Sequence, residues 1–206
     1  AQFRDKRRSR LPRSDHDNMR HAHSFSKVLV SRCAAPYIVV TGKRKLKVRD
    51  IMTISKGAKL PDATLVQMGD KGPEPVALGE KLKGRKVALF AVPGAFTPTC
   101  HSAHVPSFIR TKDEFAAKGV DEIICISVND PFVMKAWGEA TGATEAGITM
   151  LSDASSEFTK AIGMDFDAPP AGLVARSKRY AMLVDNGVVT VFHPEESPGT
   201  CDVSGG

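Results

Sequence analysis

Apolar and polar positions alternate over Thr64-Leu65-Val66-Gln67-Met68, the period expected of a half-buried strand whose successive side chains point to opposite faces. Gly69-Asp70-Lys71-Gly72 reads as a turn, and Pro75-Val76-Ala77-Leu78 as the hairpin partner. Residues 79–84 read as a connection into a short apolar run at 86–92, Lys86-Val87-Ala88-Leu89-Phe90-Ala91-Val92, which predicts a buried strand. A helix is predicted over 101–118. Val105, Phe108, Ile109 and Phe115 form its core face, Pro106 is expected to kink it, and Gly119 closes it. The run at 121–128 predicts a second buried strand. Asn129-Asp130 can cap the next helix, with Pro131 near its first position and its end near Ala140. A short strand at 149–152 precedes a helix at 155–162. Tyr180 to Val184 and Val188 to Phe192, joined by Asp185-Asn186-Gly187, make a hairpin with Asn-Gly at its tip. Residues 194–206 form a tail rich in Pro, Gly and Ser. Strands alternating with helices and ending in a hairpin describe an α/β protein with a mixed central sheet flanked by helices.

Composition divides the chain in two. Its 206 residues are 42% hydrophobic and 25% charged, enough apolar content for a sizeable core. The net charge of +6 is unevenly placed: residues 1–49 carry 14 Lys and Arg against 3 acids, leaving 15 against 20 for residues 50–206. Any nucleic-acid partner would have to meet the first segment, which does not interleave aromatic with basic residues, so none is expected. That segment is rich in Arg, Lys, Ser and His and includes Lys6-Arg7-Arg8-Ser9-Arg10. It reads as a targeting extension, mitochondrial first, with a plastid-type or cytoplasmic location as the alternative. No stretch approaches 18 apolar residues, and no membrane partner is expected. Residues 50–206 are the expected catalytic domain.

Cysteine placement then brings in chemistry. Cys33, Cys100, Cys125 and Cys201 are widely spaced and form no Cys-x-x-Cys, which argues against structural zinc and against a thioredoxin-type dithiol. Cys33, inside the basic extension, reads as a bystander. Cys100 follows Val92-Pro93-Gly94-Ala95-Phe96-Thr97-Pro98-Thr99 at the junction of predicted strand and predicted helix. The first turn of a helix offers unpaired N–H groups and the positive end of the macrodipole, so a sulfur there is favoured as the thiolate. Pro93 and Pro98 restrict the approach, Gly94 permits a close turn, and the Thr97 hydroxyl can reach the sulfur or a bound oxygen.

Pro93, Thr97 and Cys100 match the Pro-x-x-x-Thr-x-x-Cys signature of peroxiredoxins, and the run 93–100 resembles the type II, peroxiredoxin-five-like branch. Three further matches follow in order: His104-Val105-Pro106, then Ser127-Val128-Asn129-Asp130-Pro131-Phe132-Val133, then Arg176-Ser177-Lys178-Arg179-Tyr180. The resemblance covers roughly residues 60–201. It implies a thioredoxin-like fold and a thiol-dependent peroxidase of antioxidant defence acting on hydrogen peroxide and alkyl hydroperoxides. By the same resemblance Cys100 is the nucleophile, Thr97 and Arg179 bind and polarise the peroxide, and Pro93 shields the thiolate. Arg176 and Lys178 are close rivals for the role of Arg179. No cofactor or metal is expected, and the protein is expected to be a monomer or a homodimer.

Turnover needs a second thiol to condense with the sulfenic acid on Cys100, or direct reduction by glutathione. The resemblance offers Cys125, in a buried strand, and Cys201, in the tail; thioredoxin or glutaredoxin with glutathione would then restore the thiols. Tail mobility favours Cys201, since a strand cysteine needs local unfolding. Cys100 and His104, four residues apart on one helix face with His101 adjacent, keep open a different class: a metal-binding module, or a thiol relay or chaperone, without peroxidase activity.

Overall fold

The computed structural model describes residues 53–206; the expected extension over 1–49, with Cys33, lies outside them. A seven-stranded sheet has the order β2-β1-β5-β4-β3-β8-β9. Its strands are β1 (Thr64–Gly69), β2 (Gly72–Ala77), β3 (Lys86–Ala91), β4 (Glu122–Ser127), β5 (Thr149–Ser152), β8 (Tyr180–Asp185) and β9 (Val188–Pro194). The central strands β3, β4 and β5 are parallel, while β8 pairs antiparallel with β3, so the sheet is mixed. This is the expected thioredoxin-like architecture. The Asn-Gly hairpin forms as predicted, with both Asn186 and Gly187 at positive φ.

Alternation along the central strands divides the core between the two faces of the sheet. Val87, Leu89 and Ala91 of β3, with Ile124 and Ile126 of β4, face one cluster, beside Leu78, Leu82, Phe158 and Ile162. The first three of these belong to the short helices α1 (Leu78–Leu82) and α4 (Glu157–Ala161), and Ile162 directly follows α4. Ala88 and Phe90 of β3 and Ile123 and Cys125 of β4 face the other cluster, with Cys100, Val105, Phe108, Met134 and Trp137. That face is covered by α2 (Val105–Ala117) and α3 (Pro131–Thr141). Each fully buried large side chain contributes about 1.5–3 kcal/mol, so both clusters hold the sheet.

The cap of α3 is as predicted: the Asp130 carboxylate accepts from the N–H groups of Phe132 and Val133, both at 3.0 Å. Three expectations need correction. Residues 79–84, read as a connection, contain most of α1, whose Leu78 and Leu82 are buried. A second, two-stranded sheet of β6 (Asp165–Ala168) and β7 (Leu173–Ser177) was not anticipated; a bulge between Phe166 and Ala168 breaks the alternation that would have announced it. The helix that carries Cys100 is already helical from Pro98, and its irregularity lies over Cys100–His104, a single π turn separated from Pro106 by Val105. Pro106 then sits in the first turn of α2, where its missing N–H removes no bond from a regular ladder.

Candidate active site

The sheet assembles the site at the carboxyl ends of its parallel strands. Ala91 at the end of β3 pairs with Ile126 near the end of β4 and with Tyr180 at the start of β8. The loop 93–99 leaves β3 there, and Arg179 enters β8 at the same edge. Tyr180 faces the first core cluster while Ala181 packs against the second. Alternation therefore turns Arg179 to the side where Cys100 lies.

Cys100 is fully buried near the start of the helix, its sulfur 3.3 Å from Arg179 Nη2, which donates to it. A charge-assisted bond of this kind is accepted more strongly by a thiolate than by a thiol. Arg179 is only 1% exposed and is held on two further sides: Nη2 also donates to the Pro198 carbonyl at 3.0 Å, and Nη1 lies 3.0 Å from His104 Nδ1. Its Nε is buried and has no hydrogen-bond partner. Of the rival cations, Lys178 is exposed, and Arg176 is half-buried with Nη1 beside Gly94. Pro93 is buried. Thr97 donates its hydroxyl to the Gly94 carbonyl at 2.9 Å, which closes the loop on itself, and its own carbonyl accepts from His101 N.

His104, of the matched His104-Val105-Pro106, stands beside Arg179. It is fully buried against Phe90 and Phe108, and its Nε2 lies 2.8 Å from the Ser204 carbonyl. A carbonyl can only accept and a guanidinium can only donate, so the proton sits on Nε2 and Nδ1 receives Arg179. Burial first, and then the charge of Arg179, bring the imidazole down to about 4, so it is neutral near pH 7. With both ring nitrogens engaged, His104 props the arginine and has no lone pair left for a metal. His101, the other nitrogen donor considered, accepts from Trp137 Nε1 at 3.2 Å and stacks under Phe96.

The tail differs from expectation. It is anchored by polar contacts and packs as a strap over the site. Burial alone would push the Glu195 carboxyl up, but hydrogen bonds from Ser204, Val203 and Asp202 overcome this and bring it down to about 2. Its Oε1 accepts from the N–H groups of Asp202, Val203 and Ser204 at 2.8–2.9 Å. Thr99 donates to the Gly199 carbonyl, and Gly206 N donates to Ser107 Oγ. The mobility argument for Cys201 therefore loses its premise.

The three cysteines among the described residues are free. Cys125 is fully buried in the same cluster as Cys100, and burial, then the neighbouring Cys100, push its thiol well up. Cys201 is half-buried in the strap; burial pushes its thiol up against the pull of Ser204 and Arg179. Sequence reading did not single out Glu195 or Ser204: the Glu195 carboxylate is met by backbone N–H groups, and Ser204 acts through its own N–H and carbonyl, which any residue supplies.

A family model described as Redoxin matches residues 55–205. The chain is 51% identical over 150 residues to "Peroxiredoxin-2E-2, chloroplastic" of Oryza sativa subsp. japonica, across 71% of this chain and 67% of that protein. It is 42% identical over 128 residues to "Peroxiredoxin-2F, mitochondrial" of Arabidopsis thaliana, across 62% and 63%. The chain thus spans about two thirds of the length of these relatives. Among solved structures it resembles reduced Prx3 of Vibrio vulnificus in complex with H2O2, with a TM-score of 0.69 and 50% identity over 74% of this chain and 94% of that one.

Proposed function

The chain belongs to the type II peroxiredoxins, thiol-dependent peroxidases of antioxidant defence, and from that premise we propose that Cys100 is its peroxidatic thiol. Thr97 and Arg179 orient and polarise the peroxide, and Pro93 keeps water from the sulfur. The observation that carries this is the contact of Arg179 Nη2 with Cys100 Sγ at a helix start. The thiolate attacks one peroxide oxygen; the O–O bond breaks, and the other oxygen leaves with a proton as water or alcohol. Sulfur is oxidised to sulfenic acid and the peroxide is reduced. Negative charge spreads over both oxygens and the sulfur in the transition state, where fixed donors act most strongly. The Nε–H of Arg179, buried without a protein partner, is a donor available to a peroxide oxygen.

The sulfenic acid then condenses with a second thiol, forming a disulfide and releasing water. Cys201 is the proposed partner, now on grounds of position: the strap that carries it already touches Arg179 through Pro198 and Thr99 through Gly199. Membership of one cluster with Cys100 supports Cys125 as the second reading. A thioredoxin or glutaredoxin with glutathione would reduce the disulfide. The unit is proposed to act as a monomer or homodimer, with residues 1–49 as an organellar address. The higher identity to the relative named chloroplastic supports a plastid over the mitochondrion expected from sequence. Mass mapping after one equivalent of peroxide tests the scheme: a Cys100–Cys201 peptide is expected. A Cys100–Cys125 peptide with full turnover in Cys201→Ser would transfer the role to the strand.

A further inference from the structure

The peroxidatic loop hangs from β3 and is tied to the rest of the molecule at few points. Val92 N donates to the Ile126 carbonyl at 3.2 Å, and the next bonds, from Thr97 to Gly94, are internal to the loop. Between these, Ala95 N donates to Asn129 Oδ1 at 2.9 Å, the hydrogen bond that ties residues 93–98 to an element beyond their own helix among the described residues. Asn129 is itself fixed from three directions. Its Oδ1 also accepts from the buried Ser127 hydroxyl at 2.7 Å, its carbonyl accepts from the buried Ser152 hydroxyl at 2.6 Å, and Asp130 beside it caps α3. The loop lies close against this anchor: a Cβ on Gly94 would stand 3.3 Å from Thr97 Cγ2, 3.4 Å from Arg176 Nη1 and 3.6 Å from Asn129 Oδ1.

We infer that Asn129, held by Ser127, is a positioning residue that latches the Cys100 loop closed and so sets how the sulfenic acid is partitioned. The inference rests on Cys100 being the peroxidatic thiol. Cys100 is fully buried, so the closed loop serves peroxide attack, whereas joining the sulfur to a second thiol requires the loop to loosen. While closed, the sulfenate is open to a second peroxide, which adds an oxygen to give sulfinate and leaves as water or alcohol. While open, it condenses with a thiol and releases water. A latch bond therefore speeds the first reaction, slows disulfide formation and raises the risk of overoxidation. Both side-chain bonds use Oδ1 alone. An aspartate keeps that acceptor; an alanine does not.

The test uses the full chain with Asn129→Ala, Asn129→Asp and Ser127→Ala. Trp137, the single tryptophan and hydrogen-bonded to His101, reports both steps by stopped-flow fluorescence, and mass spectrometry reports sulfinate. In Asn129→Ala the second-order reaction with peroxide is expected to slow about five- to tenfold, the effect of one lost hydrogen bond. Disulfide formation should quicken by a similar factor, and more peroxide should be needed for half-overoxidation. Asn129→Asp should restore all three, and Ser127→Ala should shift them in the same direction by less, which keeps the test open if Asn129→Ala folds poorly. A merely structural role would slow both steps together; that result, an unchanged partition, or an Asp variant that behaves as Ala would overturn the inference while leaving the Cys100 assignment standing. Failure of wild-type Cys100 to form sulfenic acid would overturn both.

Discussion

The Cys100 loop and the C-terminal strap meet over one arginine, yet they are held by opposite means. The loop is shaped by its own sequence: Pro93, Gly94 and Pro98 restrict the backbone, Thr97 bonds back to Gly94, and a strand and a helix fix its ends. The strap has local bonds of its own around Ser197 and Thr200, but its seat on the molecule is set from elsewhere. It is held by one carboxylate, Glu195, and by partners about 100 residues distant: Thr99, His104 and Ser107. The difference teaches that the loop supplies the reacting atom while the strap, through Pro198 and Ser204, finishes the cage around the guanidinium that serves it.

The largest effect should fall on the loop. Cys100→Ser is expected to abolish peroxide consumption, followed by peroxide assay, with circular dichroism unchanged. Retained activity would move the reacting thiol elsewhere and dissolve the contrast.

Arg179, where the two regions meet, comes next. Arg179→Ala should lower kcat/KM for peroxide by about 10²–10³, roughly 3–4 kcal/mol, as for loss of an oxyanion-hole donor. Arg179→Lys should recover only part, because an ammonium lacks the fork. Exposed Lys178→Ala should leave the rate unchanged.

His104 sharpens the comparison through pH. Its imidazole is lowered from 6.5 to about 4 in the folded chain. Between these values the unfolded chain binds a proton that the folded chain refuses, so stability falls as pH drops through that window, by up to about 3 kcal/mol. Urea unfolding across pH 7 to 4 should show this limb. His104→Phe should flatten it.

Loss of the strap's anchor should be milder. Glu195→Ala leaves three N–H groups without their acceptor, a cost of about 1–3 kcal/mol. Amide exchange at 202–204 should quicken far more than exchange in β3 or β4. In the parent, the Glu195 contribution is present above pH 4.5 and is lost as pH falls towards 2, so acid should loosen the strap below the His104 window. Equal exchange in parent and variant would show that packing, not the carboxylate, holds the strap.

The same contrast explains what could be read from the sequence. The β3 strand, the Asp130 cap, the Asn186-Gly187 tip and the Cys100 loop declare themselves because each depends on residues within a few positions. Helix α1 spans five residues, too few to show a period of 3.6. Arg179 was separable from Lys178 in principle, since alternation from buried Tyr180 sends residue 179 to the opposite face of the sheet. The seating of the strap and the His104 proton assignment depend on backbone carbonyls and N–H groups that meet side chains about 100 residues away only in the fold.

The π turn at Cys100–His104 has a consequence for angular phase. Its widened ring carries the N–H of Val105 back to the Cys100 carbonyl and seats one residue more than a regular turn would. Wind these same residues as a regular α-helix, with the core face of α2 still meeting the sheet, and the extra residue is no longer absorbed. The sulfur, however, rotates by about 100° around the axis relative to that face. Arg179 enters from β8 and cannot follow it. A more regular helix would carry its thiol past the guanidinium, so here an irregular backbone keeps two distant elements in phase.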